Sequence, residues 1–258
     1  MSENIVEETG STILEHLNDL RVRLTWAAVG VAAAVIVGFF FAEEILAFLI
    51  EPYGETLQTL SPTEGIQTYF RVALFAGAIL AMPWILYQSW LFIKPGLHPH
   101  EKKYVYIFIP SATILFLTGV AFSWFVLLPS AITFLSTFLT SIFTADWTSQ
   151  EYIGFATSFL FWIGVSFEIP LVVYFLSLFG ILSAKNLREH WRIAIVGIAV
   201  LAAVITPSID PVTMLLTMVP LLLLYFMSIL LASIGYRQFE RKTALEMDEN
   251  LEPDPKQS

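Results

Sequence analysis

A single carboxylate interrupts a long uncharged stretch of this chain. Residues 152–184 carry no charge except that of Glu168, which lies in the string GVSFEIP at 164–170. An ionisable side chain inside an apolar helix usually faces a cavity or a polar partner. The alternative is a protonated Glu that bonds a neighbouring hydroxyl for structure alone. We favour the first interpretation and expect Glu168 to face a concave, partly hydrated recess where a partner's membrane helix docks.

Three further polar residues are predicted to line the same recess: Thr206, Asp210 and Thr213. The apolar run that precedes them, from Arg192 to Thr206, rises only about 21 Å as a helix. The hydrocarbon core of a bilayer is about 30 Å thick. The turn after this run should therefore sit below the outer surface, near the level of Glu168.

Two other charged groups lie at the ends of apolar runs. A turn rich in proline and glycine contains Pro95, Glu101 and Lys102, and an earlier amphipathic segment contains Asp19 and Arg21. Glu101 could cap the helix that follows, since acids stabilise helix N-termini. The earlier segment could be an interfacial helix with arginine anchors. Both carboxylates could equally bind a cationic ligand.

The residue types in the chain exclude several classes of chemistry. The chain has no cysteine, and all four histidines lie outside the apolar runs, so a nucleophile within a run has no adjacent base. A phosphate-binding glycine-rich loop is absent. The net charge of -9 argues against nucleic acid as a partner. No enzyme activity, metal or cofactor is therefore expected.

The composition predicts an all-α integral membrane protein. Of the 258 residues, 57% are hydrophobic and 14% are charged, whereas soluble domains carry about 25% charge. The uncharged runs predict a cytoplasmic tail at 1–14, one transmembrane domain at 15–238 and a disordered acidic tail at 239–258. Within the domain, transmembrane helices are predicted near 17–42, 69–93, 103–128, 152–182, 190–206 and 211–235.

Charge distribution favours six helices over seven. With six, the basic clusters at 21–23, 94–103, 185–192 and 237–242 all fall on one side, which the positive-inside rule assigns to the cytoplasm. Both termini are then cytoplasmic, and only Arg71 breaks the pattern. Prolines bend helices, so we expect a kinked, concave, glove-like arrangement. The prolines within the spans are Pro83, Pro110, Pro129, Pro170 and Pro220.

Four strings together resemble the TatC family, the receptor subunit of the twin-arginine translocase. They are HLNDLRVRL at 16–24, PWILYQ at 83–88 with the turn up to Lys103, GVSFEIP at 164–170 and TPSIDP at 206–211. The resemblance covers roughly residues 13–235. There are two departures: Asp19 stands where the family usually has Glu, and Met214 stands near a position that is often Gln.

The resemblance implies a receptor in the plasma (inner) membrane of a prokaryote. Such a protein binds the twin-arginine signal peptides of folded cargo, recruits single-span subunits of the TatA and TatB type, and self-associates in a receptor complex. The proton-motive force drives export. The implied peptide-binding residues are Asp19, Arg21, Phe92, Pro95, Glu101 and Lys102. The alternative is a proton-coupled small-solute transporter, which would usually show paired repeats with broken helices; no such repeat is evident.

Overall fold

The computed structural model describes residues 2–54, 56–93, 105–138, 142, 146–206 and 210–251. Regular structure within these ranges is helical, apart from one isolated β-bridge between Gln58 and Thr148. The prediction of an all-α protein is thus confirmed. The helices are α1 (Ser2–Phe40), α2 (Ala42–Ile50), α3 (Glu64–Ile93), α4 (Val105–Phe122), α5 (Leu128–Thr137), α6 (Ser149–Ser166), α7 (Ile169–Leu178), α8 (Ala184–Glu189), α9 (Trp191–Ile205) and α10 (Pro211–Leu251).

Within the described ranges, five helical segments are long and apolar enough to cross a bilayer. The remaining apolar helix, α9, has 15 residues and rises about 22 Å. It is shorter than the hydrocarbon core of about 30 Å, as the sequence predicts. The five long segments are Leu17–Phe40, Glu64–Phe92, Ile107–Thr137, Ser149–Leu178 and Pro211–Arg241.

The first and last helices extend beyond their predicted bounds. The sequence predicts a polar tail over 1–14, but α1 begins at Ser2. The last helix is predicted to end near 235, but α10 continues to Leu251. Each extension contains three Glu residues, and Glu is a strong helix former. The helix therefore continues beyond the apolar run, toward the N-terminus in α1 and toward the C-terminus in α10.

The third span continues through Pro129 and does not end near 128. A π-helical turn (Ser123–Leu127) joins α4 to α5, and the Leu128 N–H donates to the Ser123 carbonyl. Proline has no N–H, and its ring clashes with the carbonyl four residues earlier. The wider turn accommodates Pro129 without ending the helix. Helix α5 then runs to Thr137.

Tertiary contacts divide the chain into two compact units. Unit 1 comprises Met1–Leu115 and Ser136–Thr157, and unit 2 comprises Phe116–Leu135 and Ser158–Ser258. Each unit is therefore built from two separate stretches of the chain.

In unit 1, helices α1 and α3 pack closely as an antiparallel pair. A side chain at Gly38 would meet the backbone of Ala73, and one at Gly77 would meet the backbone of Val35. The two glycines thus allow the helix backbones to touch, as small residues do in membrane helix pairs.

In unit 2, helix α10 packs along α7 and α9. Gly235 lies against the Tyr174 carbonyl and the Leu178 backbone, so α7 and α10 also touch without an intervening side chain. Gly180 adopts a φ of 72°, which ends the helical turn after α7 in the left-handed region that glycine favours.

A buried carboxylate, Glu64, joins two distant segments of unit 1. One oxygen accepts hydrogen bonds from the Leu60 N–H at 2.7 Å and the Ser61 N–H at 3.3 Å. The other accepts from the Ser149 hydroxyl at 3.0 Å and the Gln150 N–H at 2.9 Å. The sequence analysis gave Glu64 no role. Its signal is the spacing Ser61-Pro62-Thr63-Glu64, which is that of a capping box at a helix start.

Aromatic side chains reinforce the same junction. The Tyr53 ring stacks on Trp147 with centroids 5.2 Å apart, and the Tyr152 hydroxyl donates to the Leu49 carbonyl at 2.9 Å. Arg71 donates to the Gln150 carbonyl at 3.4 Å. The segment from Leu49 to Glu64 is thereby held to the start of α6.

We predict that Glu64→Gln destabilises the protein. Glutamine has one acceptor oxygen, so one pair of donors around position 64 loses its acceptor. The apparent melting temperature should fall by at least about 2–4 °C, the shift expected for the loss of one such bond in a chain of this size. Thermal unfolding of the purified protein in detergent, followed by tryptophan fluorescence, measures this shift.

Glu51→Gln is the matched control, because Glu51 is an exposed carboxylate at the end of α2. Its melting temperature should equal that of the unchanged protein. Equal melting temperatures for both variants would contradict the role assigned to Glu64.

Candidate functional site

The register of α1 against α3 brings two predicted peptide-binding residues to the same end of unit 1. The Trp84 indole N–H donates to the Trp26 carbonyl at 2.9 Å, which aligns these two positions. Asp19 lies about 11 Å from Trp26 along α1, and Phe92 lies about 12 Å from Trp84 along α3. Because the helices are antiparallel, Asp19 and Phe92 lie at similar depth at the same end.

These residues are accessible to a ligand. Asp19 and Phe92 are each partly exposed, and Arg21 is exposed. The other three predicted peptide-binding residues, Pro95, Glu101 and Lys102, lie outside the described residues. We call the end of the α1–α3 pair that carries Arg21 its basic end. The geometry thus supplies one carboxylate and one aromatic ring at this basic end.

Glu168 lies at a break in the predicted fourth helix. Helix α6 ends at Ser166, and α7 begins at Ile169. Pro170 lacks the N–H that would donate to the Ser166 carbonyl, so the helical bonding is interrupted. The Glu168 N–H donates instead to the Val165 carbonyl at 3.0 Å, in a tighter turn. The predicted kink at Pro170 is therefore a discontinuity, with the acid located in it.

The Glu168 carboxyl is buried and lacks a hydrogen-bond partner within the part of the chain that the structure describes. Its side chain is 6% exposed, and neither carboxyl oxygen has a partner among the described residues. Buried polar groups are nearly always hydrogen-bonded, so an unpartnered one indicates a binding role or an enclosed water. The hypothesis of a Glu bonded to a neighbouring hydroxyl finds no such hydroxyl in the described part of the chain.

The π-helical turn lies beside this break. The Phe167 ring packs on Phe122 at 5.7 Å between centroids, and Gly119 lies directly against Phe167. Ser123 follows Phe122, and its fully buried hydroxyl has no partner in the described part of the chain. The sequence analysis missed Ser123, because a lone serine in an apolar run carries no distinguishing signal.

Three of the predicted polar residues lie at or near the start of α10: Thr206, Asp210 and Thr213. An Asp210 carboxylate oxygen accepts from the Thr213 N–H at 2.6 Å, so Asp210 caps the helix. The Thr206 hydroxyl donates to the Ala202 carbonyl at 2.8 Å. The Thr213 hydroxyl is fully buried and has no partner among the described residues.

The structure does not bring Thr213 together with Glu168. Gly235 of α10 contacts Tyr174 and Leu178 of α7, and the two helices run parallel. From this contact, Glu168 lies about 9–15 Å along α7, whereas Thr213 lies about 33 Å along α10. Roughly 20 Å of helix axis thus separates two buried polar positions that the sequence analysis assigned to one recess.

The described residues contain no group of acids and histidines that could hold a metal ion. The arrangement therefore offers carboxylates and hydroxyls for binding, in two places: the basic end of the α1–α3 pair and the interior of unit 2.

Comparison with known proteins identifies the family. Residues 15–220 match the family model "TatC: Sec-independent protein translocase protein (TatC)". The TatC protein of Koribacter versatilis is 37% identical over 242 residues, which cover 90% of this chain and 89% of that protein. The TatC protein of Helicobacter pylori is 37% identical over 219 residues, covering 85% of this chain and 88% of that one.

The fold agrees with this relationship. A crystal structure of the twin-arginine translocase receptor TatC superposes with a TM-score of 0.78 at 34% identity, covering 85% of this chain and 99% of that one. The chain belongs to the TatC family and is a multi-pass membrane component of the Sec-independent protein translocase, with a role in protein transport.

Proposed function

We propose that this chain binds the twin-arginine signal peptides of folded cargo at the basic end of the α1–α3 pair. The observation that carries the proposal is the helix register that aligns Asp19 with Phe92. An arginine pair is held best by carboxylates through charge-assisted, bidentate hydrogen bonds. Asp19 supplies one carboxylate, and Phe92 supplies an apolar contact beside it.

Glu101 is the proposed second carboxylate. It follows Phe92 by nine positions in the sequence, and Pro95 lies between them. Arg21 and Lys102 flank the two acids in sequence and complete the proposed site. Two acids among cations suit a ligand that places two guanidinium groups in one defined position.

We predict that Glu101→Ala weakens crosslinking of a photoreactive twin-arginine peptide. A hydrogen bond to a charged group contributes about 1.5–3 kcal/mol, so crosslinking per receptor molecule should fall about tenfold or more. Glu240→Ala is the control, because Glu240 is an exposed acid on α10 and should leave crosslinking unchanged. Equal yields for Glu101→Ala and the unchanged protein, or equal yields with a Lys-Lys peptide, would refute the site.

Six spans with both termini in the cytoplasm complete the proposed architecture in the inner membrane. In this arrangement α9 crosses a locally thinned bilayer, since short helices are accommodated by thinning. The basic clusters then all face the cytoplasm.

Cysteine labelling tests this topology, because the chain has no cysteine of its own. Lys185→Cys should react with an impermeant maleimide only from the cytoplasmic side, and Asp146→Cys only from outside. Both positions are exposed, so the reagent can reach them. Labelling of both from the same side would refute six spans.

We also propose that Glu168 and the Thr206–Thr213 region dock the membrane helices of TatA- and TatB-type subunits. Each place has a buried polar group, Glu168 or Thr213, that lacks a partner among the described residues. Each would gain a hydrogen bond from a polar residue of such a helix. Because roughly 20 Å separates them, two docking positions are proposed, with Thr206 and Asp210 shaping the second. Self-association of the receptor would bring several such positions together.

Photocrosslinking tests the two positions separately. Ile169 and Val212 are exposed neighbours of the two sites and are suitable for a photoreactive amino acid. We predict that Glu168→Ala abolishes subunit crosslinks from position 169, whereas Glu168→Gln preserves most of them because it imitates the protonated acid. Peptide crosslinking should be unaffected in both variants. Crosslinks to lipid alone from position 169 would make Glu168 a structural residue.

A further inference from the structure

A cavity of about 310 Å³ lies in unit 2, among α8, the start of α9 and α10. Its wall is almost entirely apolar and includes Leu182, Leu187, Ile193, Ala194 and Tyr225. None of these residues belongs to the sites proposed above.

The polar groups at the wall point to the backbone of α8. The Tyr225 hydroxyl donates to the Leu187 carbonyl at 2.6 Å. The His190 Nδ1–H donates to the Asn186 carbonyl at 2.8 Å. These bonds leave an interior suited to hydrocarbon. The space is too small for a helix, whose diameter with side chains is about 10–12 Å.

Two exposed arginines adjoin wall residues in the sequence. Arg188 follows Leu187 of the wall and Arg192 precedes Ile193, and neither forms an ion pair with a described residue. Lys185 is paired with Glu189 at 3.9 Å. The Arg192 guanidinium lies 5.6 Å from the centre of the Trp191 ring, and tryptophan is enriched at the membrane–water boundary.

We propose that this cavity binds one acyl chain of an anionic glycerophospholipid, whose phosphate is held by Arg188 and Arg192. The acyl chain of the lipid enters the apolar cavity at the point where the polar helix α8 meets the apolar helix α9. Guanidinium groups hold phosphate oxygens bidentately, and basic pockets between membrane helices are typical anionic-lipid sites. Charge complementarity thus favours phosphatidylglycerol over a zwitterionic lipid.

Electron paramagnetic resonance of chain-labelled lipids tests the proposal on the full-length protein in phosphatidylcholine vesicles. Spin-labelled phosphatidylglycerol should associate about tenfold more strongly than spin-labelled phosphatidylcholine. Arg188→Gln with Arg192→Gln should remove this preference, and the paired Lys variants should retain most of it. Arg237→Gln with Arg241→Gln is the control, since both arginines are exposed on α10 and do not line the cavity.

Filling the cavity is the second test. Ala194→Phe should reduce the immobilised fraction of both lipids without changing any charge. Equal association of the two lipids with the unchanged protein would overturn the proposal. An equal loss of the phosphatidylglycerol preference in the control pair would also overturn it, because that result indicates an effect of surface potential only. An unchanged immobilised fraction in Ala194→Phe would overturn it as well.

A third measurement needs no variant and therefore does not depend on variant folding. Phosphatidylglycerol with a photoreactive acyl chain is crosslinked to the unchanged protein, and the attachment sites are mapped by peptide mass spectrometry. Attachment concentrated at 182–194 and near Tyr225 is expected. Attachment spread over all apolar surfaces, or confined to α9 beyond Ala194, would overturn the assignment. Twin-arginine peptide binding is measured on the same samples, so failure of the receptor proposal is seen separately.

Discussion

Direct contact between the backbones of α1 and α3 is the constraint on which the proposed peptide site depends. Gly38 and Gly77 leave no room for a side chain between the helices, so the two backbones approach this closely where these glycines meet the facing helix. The register that follows fixes the depth of Asp19 relative to Phe92. Removing water does not drive helix association inside a bilayer, so close packing must do so. The binding end is thus positioned by contacts within the membrane.

The helix conformation at two prolines illustrates a second constraint. Backbone polar groups in the hydrocarbon core must form their hydrogen bonds within the protein. At Pro129 the helix widens into a π-turn and continues. At Pro170 it breaks, and Glu168 lies in the break. The same residue type thus has two outcomes, and only the second leaves an acid and a discontinuity in one place.

The all-helical class and the membrane character of the chain could be predicted from the sequence, because charge-free runs depend on composition alone. Helix ends could not, since the extensions of α1 and α10 depend on helix propensity after hydrophobicity ends. Glu168 and Thr213 were predicted to share one recess because the helix before Thr213 is short. The parallel register of α7 and α10 instead separates the two residues along the helix axes. Glu64 was missed because its partners Ser149 and Gln150 are distant in sequence, although its capping-box spacing was readable.

The Glu64 junction also bears on the order in which the chain is assembled during synthesis. Its acceptor oxygens join residues 85 and 86 positions apart, so Glu64 leaves the ribosome well before half of its donors exist. Unit 1 is completed only by Ser136–Thr157, after the first stretch of unit 2 has been made. The contacts of α1 with α3 can thus form before the Glu64 junction, whereas that junction needs the start of α6.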